Sequence, residues 1–229
     1  MSTVALNIIG RFGNACFQWA HAKAFCEQNG HELRTTEWAG EKIFTLDGYE
    51  PRRPDGTESV VLSGYFQNQD SLIYSRADCR RWFTLKPEVK VKLSSFNLYH
   101  LPHAHFRRGD YVGSSYPLIG RKAVEAAMMQ YGIYDPCISV SDANPEDNSV
   151  FPEFPFLHDF YHLMNAPVLF RSNSSFSFWA GVLSHGRVFS PVITGLAGGI
   201  EHDNVPFVEG NWAKLAELPN ITELHLREQ

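Results

Sequence analysis

The sequence predicts an α/β protein with parallel sheets. Three observations carry this prediction. Short apolar runs alternate along the chain with segments whose apolar residues recur at helical spacing. Gly, Ser, Asn or Asp punctuates most of the junctions. The alternation resumes after a break near residues 86–98, which gives two α/β halves.

The elements follow in order. "TVALNIIG" is a strand ending at Gly10, and "RFGN" is a tight turn. From Ala15, "ACFQWAHAKAFCEQNG" is a helix stopped at Asn29-Gly30. "HELRTTE" is the next strand, and residues 48–58, rich in Pro, Gly and charge, are a loop. "SVVLSGYFQ" is a strand running into a turn. "NQDSLIYSRADCRRWFTL" reads as a helix opened by Asn68 or Asp70, with Pro87 just past its end. In the second half "LYHLPHAHF" is strand-like despite Pro102, and a helix within "SYPLIGRKAVEAAMMQYG" stops at Gly132. "DPCISVSD" is a buried strand, "NPEDNSVFPEFP" a loop and "FLHDFYHLMNA" a helix closed near Pro167. "PVLFRS" is a strand, "NSSFSFWAGVLSHG" a helix, "RVFSPV" a strand and "NWAKLAEL" a terminal helix. The resulting domains are 1–98, 99–206 and a helical tail, 207–229, that packs back across them.

Composition narrows the function classes. With 44% hydrophobic and 20% charged residues, the 229-residue chain resembles a soluble enzyme and not a disordered segment. A net charge of −5 gives no reason to expect a nucleic-acid partner, so any phosphate site must be a local cluster of cations. No stretch approaches the ~20 apolar residues of a membrane helix and no signal peptide is apparent. Peripheral membrane association stays open. Cys16, Cys26, Cys79 and Cys137 show no C-x-x-C spacing and read as reduced thiols. Together these point to a cytoplasmic protein.

Ligands of parallel sheets collect at the carboxyl ends of strands. Gly10–Asn14, Arg107-Arg108 with Asp110, Ser141-Asp142 and Asn173-Ser174-Ser175 all fall at such ends. A guanidinium offers phosphate a fork of donors and stays charged at any relevant pH. Adjacent arginines on extended backbone point in opposite directions, so one would face a ligand and the other be tied down, with Asp110 as the clamp. The alternative is a solvated charge cluster or a structural ion pair. Small hydroxyl residues at a helix N-terminus let phosphate approach, although Asn and Ser also cap helices for structural reasons. Arg108-Gly109-Asp110 matches an adhesion tripeptide, which a strand-end position argues against. The pairs His158/His162 and His103/His105 have metal-compatible spacing, but no Cys or acidic partner completes a site, and no metal is expected. "GRFGN" is no Walker loop, and no G-x-S-x-G elbow appears.

"HFRRGDY" resembles the H-x-R-R-x-D motif of the α-1,2- and α-1,6-fucosyltransferases. The wider pattern is similar to glycosyltransferase family 11, the bacterial α-1,2-fucosyltransferase group. "IIGRFGNACFQWA" matches that group's opening segment at Gly10, Gly13, Asn14, Phe17, Gln18 and Ala20. Gly64-Tyr65-Phe66-Gln67, Ser141-Asp142, Asp159 through Met164 and "NSSFSFW" at 173–179 follow in the group's order. The resemblance spans roughly residues 6–192 and departs from the pattern at Ala15, at Ala143 and in a shorter stretch around 40–60.

The resemblance implies a GT-B fold of two Rossmann-like halves facing a cleft, the first of them reduced. It implies an inverting, metal-independent transfer of fucose from GDP-β-L-fucose to a glycan hydroxyl, with no cofactor. Other outcomes it leaves open are a transferase for another GDP-sugar and a non-catalytic nucleotide-sugar or glycan-binding relative. Carried over by position, Arg107 would contact the pyrophosphate, with Arg108 beside it and Asp110 bracing their loop. His105 and Asp159 would read the guanine region. Ser174 and Ser175 would meet phosphate, and Ser141, Asp142, Asn173 and Phe176 would complete the donor side. Gly10, Arg11, Gly13 and Asn14 would line the acceptor side. The catalytic base is left among Asp142, Glu201 and a residue of the first half.

Overall fold

The computed structural model describes residues 2–96, 100–142 and 151–210. Ala143 and the helix expected in "NWAKLAEL" lie outside them. The chain divides into two compact units, Met1–Lys92 and Leu93–Gln229.

In the first unit, β1 (Thr3–Leu6) leads into α1 (Phe12–Asn29), β2 (Glu32–Thr35), the short α2 (Gly40–Ile43) and β3 (Val60–Leu62). Both β2 and β3 pair parallel to β1, in the order β2-β1-β3. Helix α1 begins at Phe12, three residues before the predicted start, and ends where Gly30 adopts the left-handed conformation at φ 65°. It is buried along most of its length. Trp19 explains why: its ring meets Trp38, Tyr49, Trp82 and Phe83 at centroid distances of 5.5–6.2 Å. Each such burial stabilises by about 1.5–3 kcal/mol.

The helix expected from Asn68 is instead two pieces. Asn68 caps only a single 3-10 turn, Gln69–Ser71. The α-helix proper, α3 (Arg76–Trp82), opens at Ser75 with a reciprocal capping box to Asp78. Pro87, read as lying beyond a helix, begins α4 (Pro87–Leu93), where its missing N–H costs nothing.

The second unit runs through β4 (His103–Phe106), β5 (Leu118–Ile119), α5 (Arg121–Gln130) and β6 (Ile138–Ser141). It continues with α6 (Phe156–Asn165), β7 (Val168–Phe170), α7 (Ser175–Leu183) and β8 (Arg187–Pro191), and closes with β9 (Glu201–His202) and β10 (Phe207–Glu209). The main sheet has the order β10-β8-β7-β4-β6. Its pairings are parallel except that of β10, which runs antiparallel to β8. Residues 207–209 are therefore a sheet edge and not the start of a helical tail. Phe207 anchors this edge in a core that includes Phe106, Phe170 and Phe189, and the Tyr131 hydroxyl donates to its carbonyl at 3.0 Å.

Apart from the two-stranded pair β5-β9, the sheets reverse strand order at their first strand. From β1 the chain moves to β2 on one side and later to β3 on the other, and β4 stands in the same way between β6 and β7. Such reversals open crevices at the carboxyl ends of the strands. No helix among the described residues is long and apolar enough to cross a membrane.

Candidate functional site

Strand β4 is buried throughout and carries two chemistries. Ala104 and Phe106 join the apolar cluster with α5. His103 and His105, offset by one residue, meet α6 and α7: the His103 ring lies 6.0 Å from that of His162, and His105 lies 5.6 Å from Phe176. Beyond Phe106 the apolar alternation stops and Arg107-Arg108 begins.

Asp142, just past β6, organises that turn. Its Oδ1 accepts from the backbone N–H of Arg108 at 2.7 Å and of Gly109 at 3.1 Å. Its Oδ2 pairs with Arg107 Nη1 at 2.7 Å. Gly109 is required by this closeness, because a Cβ there would fall 2.5 Å from Asp142 Oδ2. Arg107 Nη2 also pairs with Asp110 at 2.5 Å, and its guanidinium lies 5.3 Å from the Tyr111 ring centre. Arg108 departs in another direction, over the Phe106 ring and onto Glu201 at 3.0 Å. Its Nη1 is buried with no hydrogen-bond acceptor among the described residues.

Both arginines are thus held by carboxylates, where the sequence suggested that one would be tied down. Asp110 holds Arg107, as its position suggested. The bracing of the loop backbone comes from Asp142. Ser141 ends β6 opposite Phe106.

The third strand end belongs to β7. Ser174 caps α7 by accepting from the N–H of Phe176 at 3.1 Å. Ser175 opens this nine-residue helix, so the positive end of its dipole lies there, with the Phe176 N–H already taken by the Ser174 cap. Asn173 donates to the Pro117 carbonyl at 3.2 Å, while its buried Oδ1 has no donor among the described residues.

Behind this helix start lies a buried polar network. His105 Nδ1 sits 2.8 Å from Ser172 Oγ, which also reaches Ser177 Oγ and the N–H of Ser174. Burial pushes the His105 imidazole down to about 3, with Asp142 opposing the shift and Arg107 reinforcing it. His105 is therefore neutral near pH 7. At 3% exposure it supports the helix start from beneath. Asp159, in the first turn of α6, lies 3.6 Å from His158 Nδ1. His158 and His162 meet through their Nε2 atoms at 3.1 Å. Among the described residues, no group of three or more metal-ligating side chains assembles.

The first unit builds a strand end of another kind. Gly10 takes φ 81°, and an added Cβ would fall 2.9 Å from the Asn14 amide. Asn14 Oδ1 accepts from Gln67 Nε2 at 2.8 Å, which joins the two motif segments 10–14 and 64–67. Gln18, fully buried, accepts from the N–H of Ile9 and donates to the carbonyls of Ile9 and Asn14. Gly13 is buried inside α1, and Arg11 is exposed at its start.

Sequence reasoning singled out the arginines, Asp142 and the stretch 172–177 at the α7 start, but gave no separate role to Ser172 and Ser177 and passed over Arg171. For Arg171 the one local signal was a cation closing the apolar run "PVLF", which does not show that the cation is buried.

No family profile and no curated protein matches the chain. Solved structures do. The chain is similar to NodZ α-1,6-fucosyltransferase soaked with GDP-fucose, at 14% identity and a TM-score of 0.52, over 92% of this chain and 99% of that one. The same enzyme co-crystallised with GDP matches at 15% identity and a TM-score of 0.55, over 91% and 98%. The selenomethionine form of fucosyltransferase NodZ from Bradyrhizobium matches at 14% identity and a TM-score of 0.57, over 92% and 99%. At these identities the likeness is one of fold: a mixed α/β chain built on parallel sheets.

Proposed function

We propose that the chain is an inverting, metal-independent glycosyltransferase of GT-B architecture that moves fucose from GDP-β-L-fucose to a hydroxyl of a glycan. The observation that carries this reading is the second unit's strand-end site. There an arginine pair held by Asp142 follows β4, the sheet reverses order, and a hydroxyl-rich helix start follows β7. The GDP and GDP-fucose named for the similar structures support the choice of donor.

Departure of GDP builds negative charge on its β-phosphate oxygen. Fixed donors aimed at that oxygen supply the stabilisation, and loss of one typically costs about 3–4 kcal/mol of the barrier. Arg107 and the positive end of the α7 dipole fill this role. Asp142 keeps Arg107 aimed, and the diphosphate displaces the more exposed Asp110, which is 48% exposed against 22% for Asp142. The attacking hydroxyl needs a proton acceptor. Asp142, with two N–H groups and a guanidinium already on it, suits a brace better than a base, so Glu201 stays as the candidate in this unit. The sequence motifs favour an α-1,2 linkage, whereas the solved neighbours carry the α-1,6 name.

Calorimetry with GDP and UDP, followed by fucose and mannose transfer assays with and without chelator, tests the reading. GDP should bind at least about tenfold more tightly than UDP. Fucose transfer should survive chelation, and product analysis gives the linkage. Absence of GDP binding sinks the proposal. Binding without transfer across an acceptor panel leaves a nucleotide-sugar-binding relative.

A further inference from the structure

Arg171 is the first residue after β7 and only 4% exposed. Its Nε donates to Ser190 Oγ at 2.5 Å, its Nη1 donates to the Ser172 carbonyl at 3.1 Å, and its guanidinium lies 5.5 Å from the Phe178 ring centre. All three partners are neutral. Among the described residues no carboxylate pairs with it and no acceptor is bonded to its Nη2. Burial brings the group down only to about 10, so it stays a cation at neutral pH. By contrast Arg34, Arg53, Arg81, Arg107, Arg108 and Arg187, all more exposed, each face a carboxylate.

A buried cation without an anion is costly, because the interior does not replace the water it lost. The two hydrogen bonds do not account for it, since a neutral amide could donate both. Position supplies the missing reason. Arg171 and Ser190 stand at the carboxyl ends of β7 and β8, under the start of α7. The Ser172 carbonyl that accepts from Arg171 accepts from Ser177 Oγ as well, and Ser172 Oγ reaches the N–H of Ser174. The charge is therefore wired to the backbone that opens the helix.

We infer that Arg171 is a positioning residue of an anion site: a fixed, buried cation whose counter-charge is the diphosphate of the ligand held at the start of α7. The inference rests on the reading of a nucleoside diphosphate at this end of the sheet, and it adds the residue that sets the site's charge from below. The unliganded protein carries this cation uncompensated. Ligand and unliganded stability should consequently respond to it with opposite signs.

Arg171→Met, Arg171→Gln and Arg171→Lys separate charge from packing, read by thermal unfolding and by titration with inorganic pyrophosphate and GDP. The Met and Gln variants should unfold no earlier than wild type without ligand. Both should lose at least about tenfold in affinity for either ligand. The Lys variant, which keeps the charge, should stay within about threefold of wild type. Wild-type pyrophosphate affinity in a folded Met or Gln variant overturns the inference. So does a Met and Gln pair that cannot fold while the Lys variant can, because the charge would then stabilise the empty protein. GDP binding independent of Arg171 removes this inference and leaves the proposed function standing. Arg171-dependent pyrophosphate binding without preference for guanine or fucose transfer does the reverse. Binding of neither ligand by wild type removes both.

Discussion

The two units use the same topology to build opposite strand ends. In the first, β1 leads to Gly10–Asn14, where the amides of Asn14 and Gln18 bond to neutral groups, Gln67 to Asn14 and Gln18 to Ile9 and Asn14, and the one cation of the segment, Arg11, is exposed. In the second, β4 runs into Arg107-Arg108, and the turn is held by carboxylates against guanidinium and backbone N–H groups. Neutral amides fix shape with little field, which suits a hydroxylated ligand. Charged pairs fix shape and a field together, which suits an anion whose charge grows during reaction. The difference therefore teaches where charge has to be managed, because topology alone would make the two crevices alike.

The largest effect should come from Asp142. In Asp142→Ala two backbone N–H groups lose their acceptor and Arg107 keeps only Asp110. Stability should fall by about 2–4 kcal/mol, and GDP affinity by at least about tenfold, as the loop loses its arrangement. Asp142→Asn keeps an oxygen for the two N–H groups and should recover much of both. Denaturant unfolding and calorimetry check this. If Asp142→Ala binds GDP and unfolds as wild type does, the second strand end is not organised by charge and the comparison fails.

Acid should separate the units next. Burial pushes His105 down to about 3 and His162, with His158 and His103 adding to the effect, down to about 4. An unfolded histidine titrates near 6.5. Above that pH both states are neutral and the full stability is present. As pH falls through 6.5 the unfolded chain takes up protons first, so stability is lost progressively toward pH 3–4, at most about 1.4 kcal/mol per pH unit for each group. His21 in the first unit is also lowered by burial. The first unit's Asp55, held down to about 2 by Thr57 and Arg34, loses its contribution only as pH falls from its unfolded value toward 2. Melting between pH 7 and 4.5 should therefore weaken the second unit first. His105→Asn should flatten that slope, and an unchanged slope would remove His105 from the account.

The sequence made the alternation of elements legible because apolar period and turn residues are local. The start of α7 was legible for the same reason: Asn173-Ser174-Ser175 before an aromatic run is a cap in almost any context. Asn68 and Asp70 made an equally good local case for a helix start, yet the chain opens α3 at Ser75, whose capping box with Asp78 was also present to be read. Strand β10 escaped because three residues carry no period, and only the core that takes Phe207 fixes them. Asp142 was named as a donor-side residue and a candidate base, and its part in bracing the loop depends on a turn 33 residues earlier in the chain closing over it. Arg171 escaped because burial of one polar residue after an apolar run cannot be read locally.

The smallest effect tests the neutral side. Asn14→Ala removes the acceptor of the 2.8 Å bond from Gln67 and so weakens the tie between segments 64–67 and 10–14. The bond is partly buried and uncharged, so the loss should be about 1 kcal/mol. GDP affinity should stay within about twofold of wild type, because nothing charged has been moved. Transfer should instead show a raised KM for the glycan acceptor, the signature of lost ground-state binding. A tenfold fall in GDP affinity would mean that the neutral strand end takes part in holding the nucleotide. The division of labour drawn from the two strand ends would then be wrong, even with every residue placed as described.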